Sequence, residues 1–106
     1  MDARSPDREQ LELAEVLHAL ADPVRLQIVR ILDEAHDEVA CGELGLPLSK
    51  STVSHHFKGL REAGVLGSRD EGTRRYHTVR RDDLDAIFPG LLDSVLGAAV
   101  RSTVVP

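Results

Sequence analysis

Apolar residues recur along this chain at helical spacing in four stretches and at strand spacing in one. Leu13, Val16, Leu17 and Leu20 fall at i, i+3, i+4 and i+7, a single stripe on an amphipathic helix. Ser5-Pro6-Asp7 supplies its opening, since proline suits a first helical turn and Ser or Asp caps it. Asp22-Pro23 restarts the chain in the same way, and Val24, Ile28, Ile31 and Leu32 mark the buried side of a second helix. After the polar run Asp33 to Glu38 comes Cys41-Gly42-Glu43-Leu44, where Gly42, Gly45 and Pro47 permit one or two helical turns. A cap at Ser49 or Ser51 opens a longer helix with Val53, Phe57 and Leu60 inward, and Gly64 is a natural left-handed stop. Val65-Leu66 and Tyr76-His77-Thr78-Val79 make two strands around the turn Asp70-Glu71-Gly72-Thr73. A last helix starts at Asp82 or Asp83, breaks at Pro89-Gly90, and continues its apolar face through Leu91, Leu92, Val95, Leu96, Ala99 and Val100.

The order helix, helix, short helix, basic-faced helix, hairpin, helix describes one mainly α domain over residues 1–106 with a small β-hairpin. It is a winged helix-turn-helix of about five helices plus wing. Both terminal helices carry more apolar surface than one small domain covers, so a homodimer through the first and last helices is expected.

Composition changes the picture in one respect. The chain of 106 residues has a net charge of −5, which by itself argues against a phosphate-rich partner. The average conceals a segregation. From Ser49 to Arg81 eight bases stand against three acids, +5, while the remainder holds five bases and fifteen acids, −10. That basic third coincides with the capped helix and the hairpin, as an electrostatic footprint for DNA requires. No stretch is apolar enough to span a membrane, no secretory leader is recognisable, and Cys41 has no second cysteine to pair with, so a cytoplasmic protein is expected.

The outward face of the capped helix carries Ser51, Ser54, His55, Lys58 and Arg61, with Lys50 and Thr52 in its first turn. A helix in the major groove meets base edges with its N-terminal residues, so this face is the expected reader of double-stranded DNA. Arg69, Arg74 and Arg75 crowd the hairpin tip, where guanidinium forks suit phosphates or a minor groove. No catalytic constellation is expected. A nucleophile needs a base and an orienting group in one pocket, and the serines here lie on the DNA face. No phosphate-cradling glycine loop is present and no cofactor is expected. Adjacent His55 and His56 diverge by about 100° on a helix and make a poor chelate.

Several segments resemble the arsenic-repressor-like (ArsR/SmtB) family of winged-helix regulators. Leu20-Ala21-Asp22-Pro23-Val24-Arg25-Leu26-Gln27-Ile28 is similar to the opening of that family's second helix. The run from Ser51 to Val65 is similar to its recognition helix, and Gly72-Thr73-Arg74-Arg75-Tyr76-His77 to its wing. The resemblance implies a transcriptional repressor released from its operator by a signal, with Ser54 and His55 toward the bases and His56 toward the helix packing. The sensing side departs from the family. Paired cysteines and C-terminal histidines, which hold metals in many members, are absent, so no metal site is expected and zinc, cadmium and arsenite should release DNA poorly. The inducer is then a small molecule or an oxidant. Two alternatives remain at this point: thiol-based redox sensing through Cys41, and a winged-helix protein-interaction module.

Overall fold

The first helix begins later than its capping residues suggest. A computed structural model describes residues 5–35, 39–40 and 44–101. Asp7 opens only a 3-10 turn, Arg8–Gln10, in which the Asp7 amide donates to Gln10 Oε1 at 2.9 Å. Leu11 is buried after it, and helix α1 runs Leu13–Leu20. Its stripe divides in two. Val16 and Leu20 are buried with Ala19, whereas Leu13 and Leu17 stay 47% and 42% exposed.

Helix α2, Pro23–Ala35, opens as expected. Asp22 Oδ1 accepts from the amides of Val24 at 2.8 Å and Arg25 at 3.1 Å, and Pro23 occupies the position whose missing N–H costs nothing. Ile28, Val29 and Leu32 are buried; Ile31 is half-buried. Strand β1, Val39–Ala40, was not foreseen in the pattern. Cys41, Gly42 and Glu43 of the expected short helix lie outside the described residues, and Leu44 to Leu48 form bends rather than helical turns.

Helix α3, Lys50–Ala63, buries Val53, Phe57 and Leu60 and stops at Gly64, whose φ of 90° places it in the left-handed region. The Gly64 amide donates to Arg61 O and the Val65 amide to Leu60 O, both at 3.0 Å, so two terminal carbonyls are satisfied. Gly64 is doubly required, because a Cβ there would lie 2.2 Å from Leu11 Cδ2. Val65 is therefore part of the helix stop, and strand β2 runs Leu66–Glu71. It pairs antiparallel with β3, Arg74–Val79, across the two-residue turn Gly72-Thr73, from Leu66↔Val79 to Glu71↔Arg74. The hairpin is longer and its turn tighter than expected. β1 joins the other edge of β3 through Val39↔His77 and Ala40↔Tyr76, giving the order β1-β3-β2.

Helices α4, Arg81–Ile87, and α5, Leu91–Arg101, flank the expected break. Leu84, Leu92, Leu96 and Ala99 are buried. Arg81 joins three elements: it meets Asp33 at the end of α2 (3.0 Å), Asp85 on α4 (3.4 Å) and Asp93 on α5 (2.9 Å). The hydrogen bond to Asp33 foremost, and then that to Asp93, hold the guanidinium pKa above its ordinary value against the opposing effect of burial. Arg8 and Arg80 both bond Asp83, lowering its pKa and tying the N-terminal turn to α4. Among the described residues no helix is long and apolar enough to cross a membrane.

Candidate nucleic-acid interface

Ser49 rather than Ser51 caps α3. Its hydroxyl accepts from the Thr52 amide at 3.2 Å and donates to Thr52 Oγ1 at 2.8 Å, fixing the first turn. Because Val53, Phe57 and Leu60 take the inner face, Lys50, Ser51, Thr52, Ser54, His55 and Lys58 are all exposed. The result is a continuous polar surface at the positive end of a helix dipole.

Arg61 does not belong to that surface. Seven residues after Ser54, the helical pattern assigns it to the outward face, yet it is only 7% exposed. Its Nη1 meets His77 Nε2 at 3.0 Å beneath the wing, and the His77 ring packs on Phe57 with centroids 4.3 Å apart. Burial, then the Arg61 and Arg75 charges, lower the His77 pKa to about 4, with Asp70 opposing. The imidazole is neutral at physiological pH, and its Nε2 accepts a hydrogen bond from the Arg61 guanidinium.

His56 turns toward the packing side and His55 stays exposed, the division implied by the resemblance. What holds His56 was not foreseen: Arg25 Nε donates to its Nδ1 at 3.1 Å. The Arg25 guanidinium lies over Gly59, where a Cβ would fall 2.7–2.8 Å from Nη2, Cζ and Nη1. Gly59→Ala is expected to change stability by less than about 1 kcal/mol, because the gain in helix propensity offsets the displaced side chain. It should nonetheless break the Arg25–His56 bond. Urea unfolding and the His56 ring resonances check both, and a loss above about 2 kcal/mol would mean that Arg25 cannot move aside.

The wing arginines separate by strand alternation. Arg75 shares a face with His77, turned toward α3, and pairs with Asp70 (2.8 Å), whose pKa that bond lowers. Arg69 and Arg74 lie on the other face, their guanidinium carbons 5.1 and 5.6 Å from the Tyr76 ring centroid, with Arg69 also bonded to Glu71. Sequence reasoning grouped Arg74 with Arg75; the pleat sets them on opposite sides of the hairpin. Between α3, the 44–48 segment and the inner face of the wing runs a groove of about 860 Å³ that brings Lys50, Ser54 and Arg75 to one space. Cys41 lies outside the described residues.

A capped helix with an exposed polar face, followed by a basic hairpin packed on that helix through a buried Arg–His pair, defines a winged helix-turn-helix domain. The family profile described as a helix-turn-helix domain matches residues 20–69. The chain belongs to the ArsR family of DNA-binding transcriptional regulators. It is 38% identical over 84 residues to the HTH-type transcriptional regulator YceK of Bacillus subtilis, covering 77% of this chain and 84% of that one. It is 31% identical over 87 residues to an arsenical resistance operon repressor of Staphylococcus xylosus, covering 76% and 77%. Among solved structures it resembles the homodimeric winged helix-turn-helix DNA-binding domain of a possible ArsR-family regulator from Mycobacterium bovis. That likeness has a TM-score of 0.68 at 27% identity, over 97% of this chain and 94% of the other.

Proposed function

We propose that the protein is a homodimeric cytoplasmic repressor whose α3 reads operator base edges and whose wing grips the backbone. The observation that carries this reading is the uninterrupted exposure of Lys50, Ser51, Thr52, Ser54, His55 and Lys58 on a helix whose opposite side is fully packed. Ser54 and His55 are short hydrogen-bonding groups suited to base edges. Arg69 and Arg74, on the outer face of the wing, take phosphates or enter the adjacent minor groove. Arg75 lies nearer the strand that passes between wing and helix. The dimer rests on Leu13 and Leu17, left exposed on α1, and on an apolar groove of about 320 Å³ that Leu17 and Leu26 share with Val95 and Ala98 of α5. The Mycobacterium bovis domain of the same fold is homodimeric. Two copies would place their α3 helices on half-sites about 34–36 Å apart.

The test is a set of duplex titrations at three salt concentrations. Ser54→Ala or His55→Ala should cost roughly 1–3 kcal/mol on a duplex selected by the protein and little on random DNA. Arg74→Ala should weaken all sequences alike and flatten the salt dependence by about one unit of log slope. A change of sequence preference in Arg74→Ala with an intact salt slope would reassign base reading to the wing. If neither class of variant alters binding, the basic third of the chain is not the DNA surface.

A further inference from the structure

The groove beneath the wing is not the shape of a phosphate cradle alone. One side is electropositive: Lys50, Arg61 and Arg75 line it against a single carboxylate, Asp70. The other side is a wall of leucines, Leu44, Leu46 and Leu48, continued inward by Val53 and Phe57. Leu48 is 39% exposed, while Leu44 and Leu46 are half-buried, packed on the hydrophobic core behind them and still lining the groove in front. A phosphodiester strand would use the cations and leave the leucines wet. At the base of the groove sits His77, 1% exposed, whose Nδ1 has no hydrogen-bond partner among the described residues while Nε2 meets Arg61. A buried polar atom left in this way costs free energy unless something arrives to meet it. About 860 Å³ is within the range of small-molecule sites, which combine an apolar lining with a few placed polar groups.

We infer that this groove is the effector site and that it binds an amphipathic organic anion, its charged head toward Arg61 and Arg75 and its apolar body along the leucine wall. The inference rests on the DNA reading given above and supplies the signal that reading lacks. Because Lys50, Ser54 and Arg75 border the same space, an anion seated there occupies room and positive charge that the duplex needs. Binding of ligand and of DNA is therefore mutually exclusive, and the coupling is reciprocal.

Octanoate is the probe, titrated against the complex of the full chain with a duplex it has selected, at constant ionic strength. Acetate supplies the charge without the body, octanol the body without the charge, and inorganic phosphate a bare anion. Octanoate is expected to lower duplex affinity about tenfold or more at millimolar concentration, and the other three to have little effect. In calorimetry octanoate should also bind the DNA-free protein directly. Leu46→Trp, which fills the groove along the wall, should take up no octanoate in calorimetry on the DNA-free protein. Leu46→Ala, which only shortens the wall, should weaken octanoate by about five- to tenfold. Duplex affinity measured without ligand reports separately on the DNA reading. Intact DNA binding with no octanoate response overturns the effector site alone. An equal response to acetate or phosphate reduces the effect to salt and overturns it too. A response undiminished in both Leu46 variants places the ligand elsewhere and rejects this groove.

Discussion

Leu13→Glu combined with Leu17→Glu is expected to convert the protein to a folded monomer and to lower its affinity for a two-half-site duplex by at least about a hundredfold. Both side chains are close to half exposed on α1, so two carboxylates there remain solvated in the monomer and need not disturb Val16, Ala19 and Leu20 beneath them. Across a two-fold interface the same substitutions put four carboxylates against an apolar partner surface, where unpaired charge is costly. Each half-site would then bind alone, without the effective concentration that linkage confers. Light scattering, circular dichroism and a duplex titration give the three readouts. A variant that remains dimeric would move the interface away from α1.

The second large effect is on acid stability. His77 titrates near 4 in the folded protein and near 6.5 when unfolded, since burial and the Arg61 charge disfavour the imidazolium. As pH falls through 6.5 the unfolded chain takes up a proton that the folded chain refuses. Stability from this group is therefore complete above about pH 6.5 and is lost progressively down to about pH 4. At pH 4.5 the loss amounts to about 2.5 kcal/mol, a large share of the 5–15 typical of a domain. Carboxylates such as Asp83, held low by Arg8 and Arg80, lose stability over a lower range, so the comparison must be differential. In His77→Gln, which keeps an acceptor for Arg61 but cannot titrate, the drop in urea-unfolding free energy between pH 7.5 and 4.5 should shrink by about that amount. Equal drops in the two proteins would show that His77 is protonated in the fold at no penalty.

The elements that the sequence made legible are those specified locally. Asp22-Pro23 caps and starts α2, Ser49 caps α3, Gly64 stops it and Pro89-Gly90 interrupts the C-terminal helices, each through contacts a few residues apart. What escaped depends on distant partners. Arg61 occupies an outward position in the 3.6-residue pattern, and only His77, brought beneath it by the hairpin, gives its long side chain a reason to curl inward. Strand β2 extends through Gly67, Ser68, Arg69 and Asp70, poor strand formers whose extended shape is imposed by pairing with β3. β1 is two residues long, too short for any period to register, and exists because β3 offers it an edge. The stripe on α1 predicted apolar faces correctly but not their division between buried Val16 and Leu20 and exposed Leu13 and Leu17, for periodicity reports direction and not what lies there. Arg25 stood in a segment similar to the family's second helix, and its contact with His56 needed the packing of α2 on α3 to become visible.

The threefold attachment of Arg81 makes α2 a lever. Its far end is fastened through Asp33 to α4 and α5, and its near end carries Arg25, which lies against Gly59 and His56 on α3. Asp33 and Arg25 are eight residues apart on one rigid helix, about 12 Å of axial length at 1.5 Å per residue. A tilt of about 15° imposed at the Arg81 end moves the Arg25 end by about 3 Å, close to the roughly 3.4 Å that separates successive bases along a strand. In the proposed homodimer, a small rocking of one subunit against the other would thus be geared to a shift of one base step at the DNA, and the alignment of both half-sites would become a property of how the two copies are seated together.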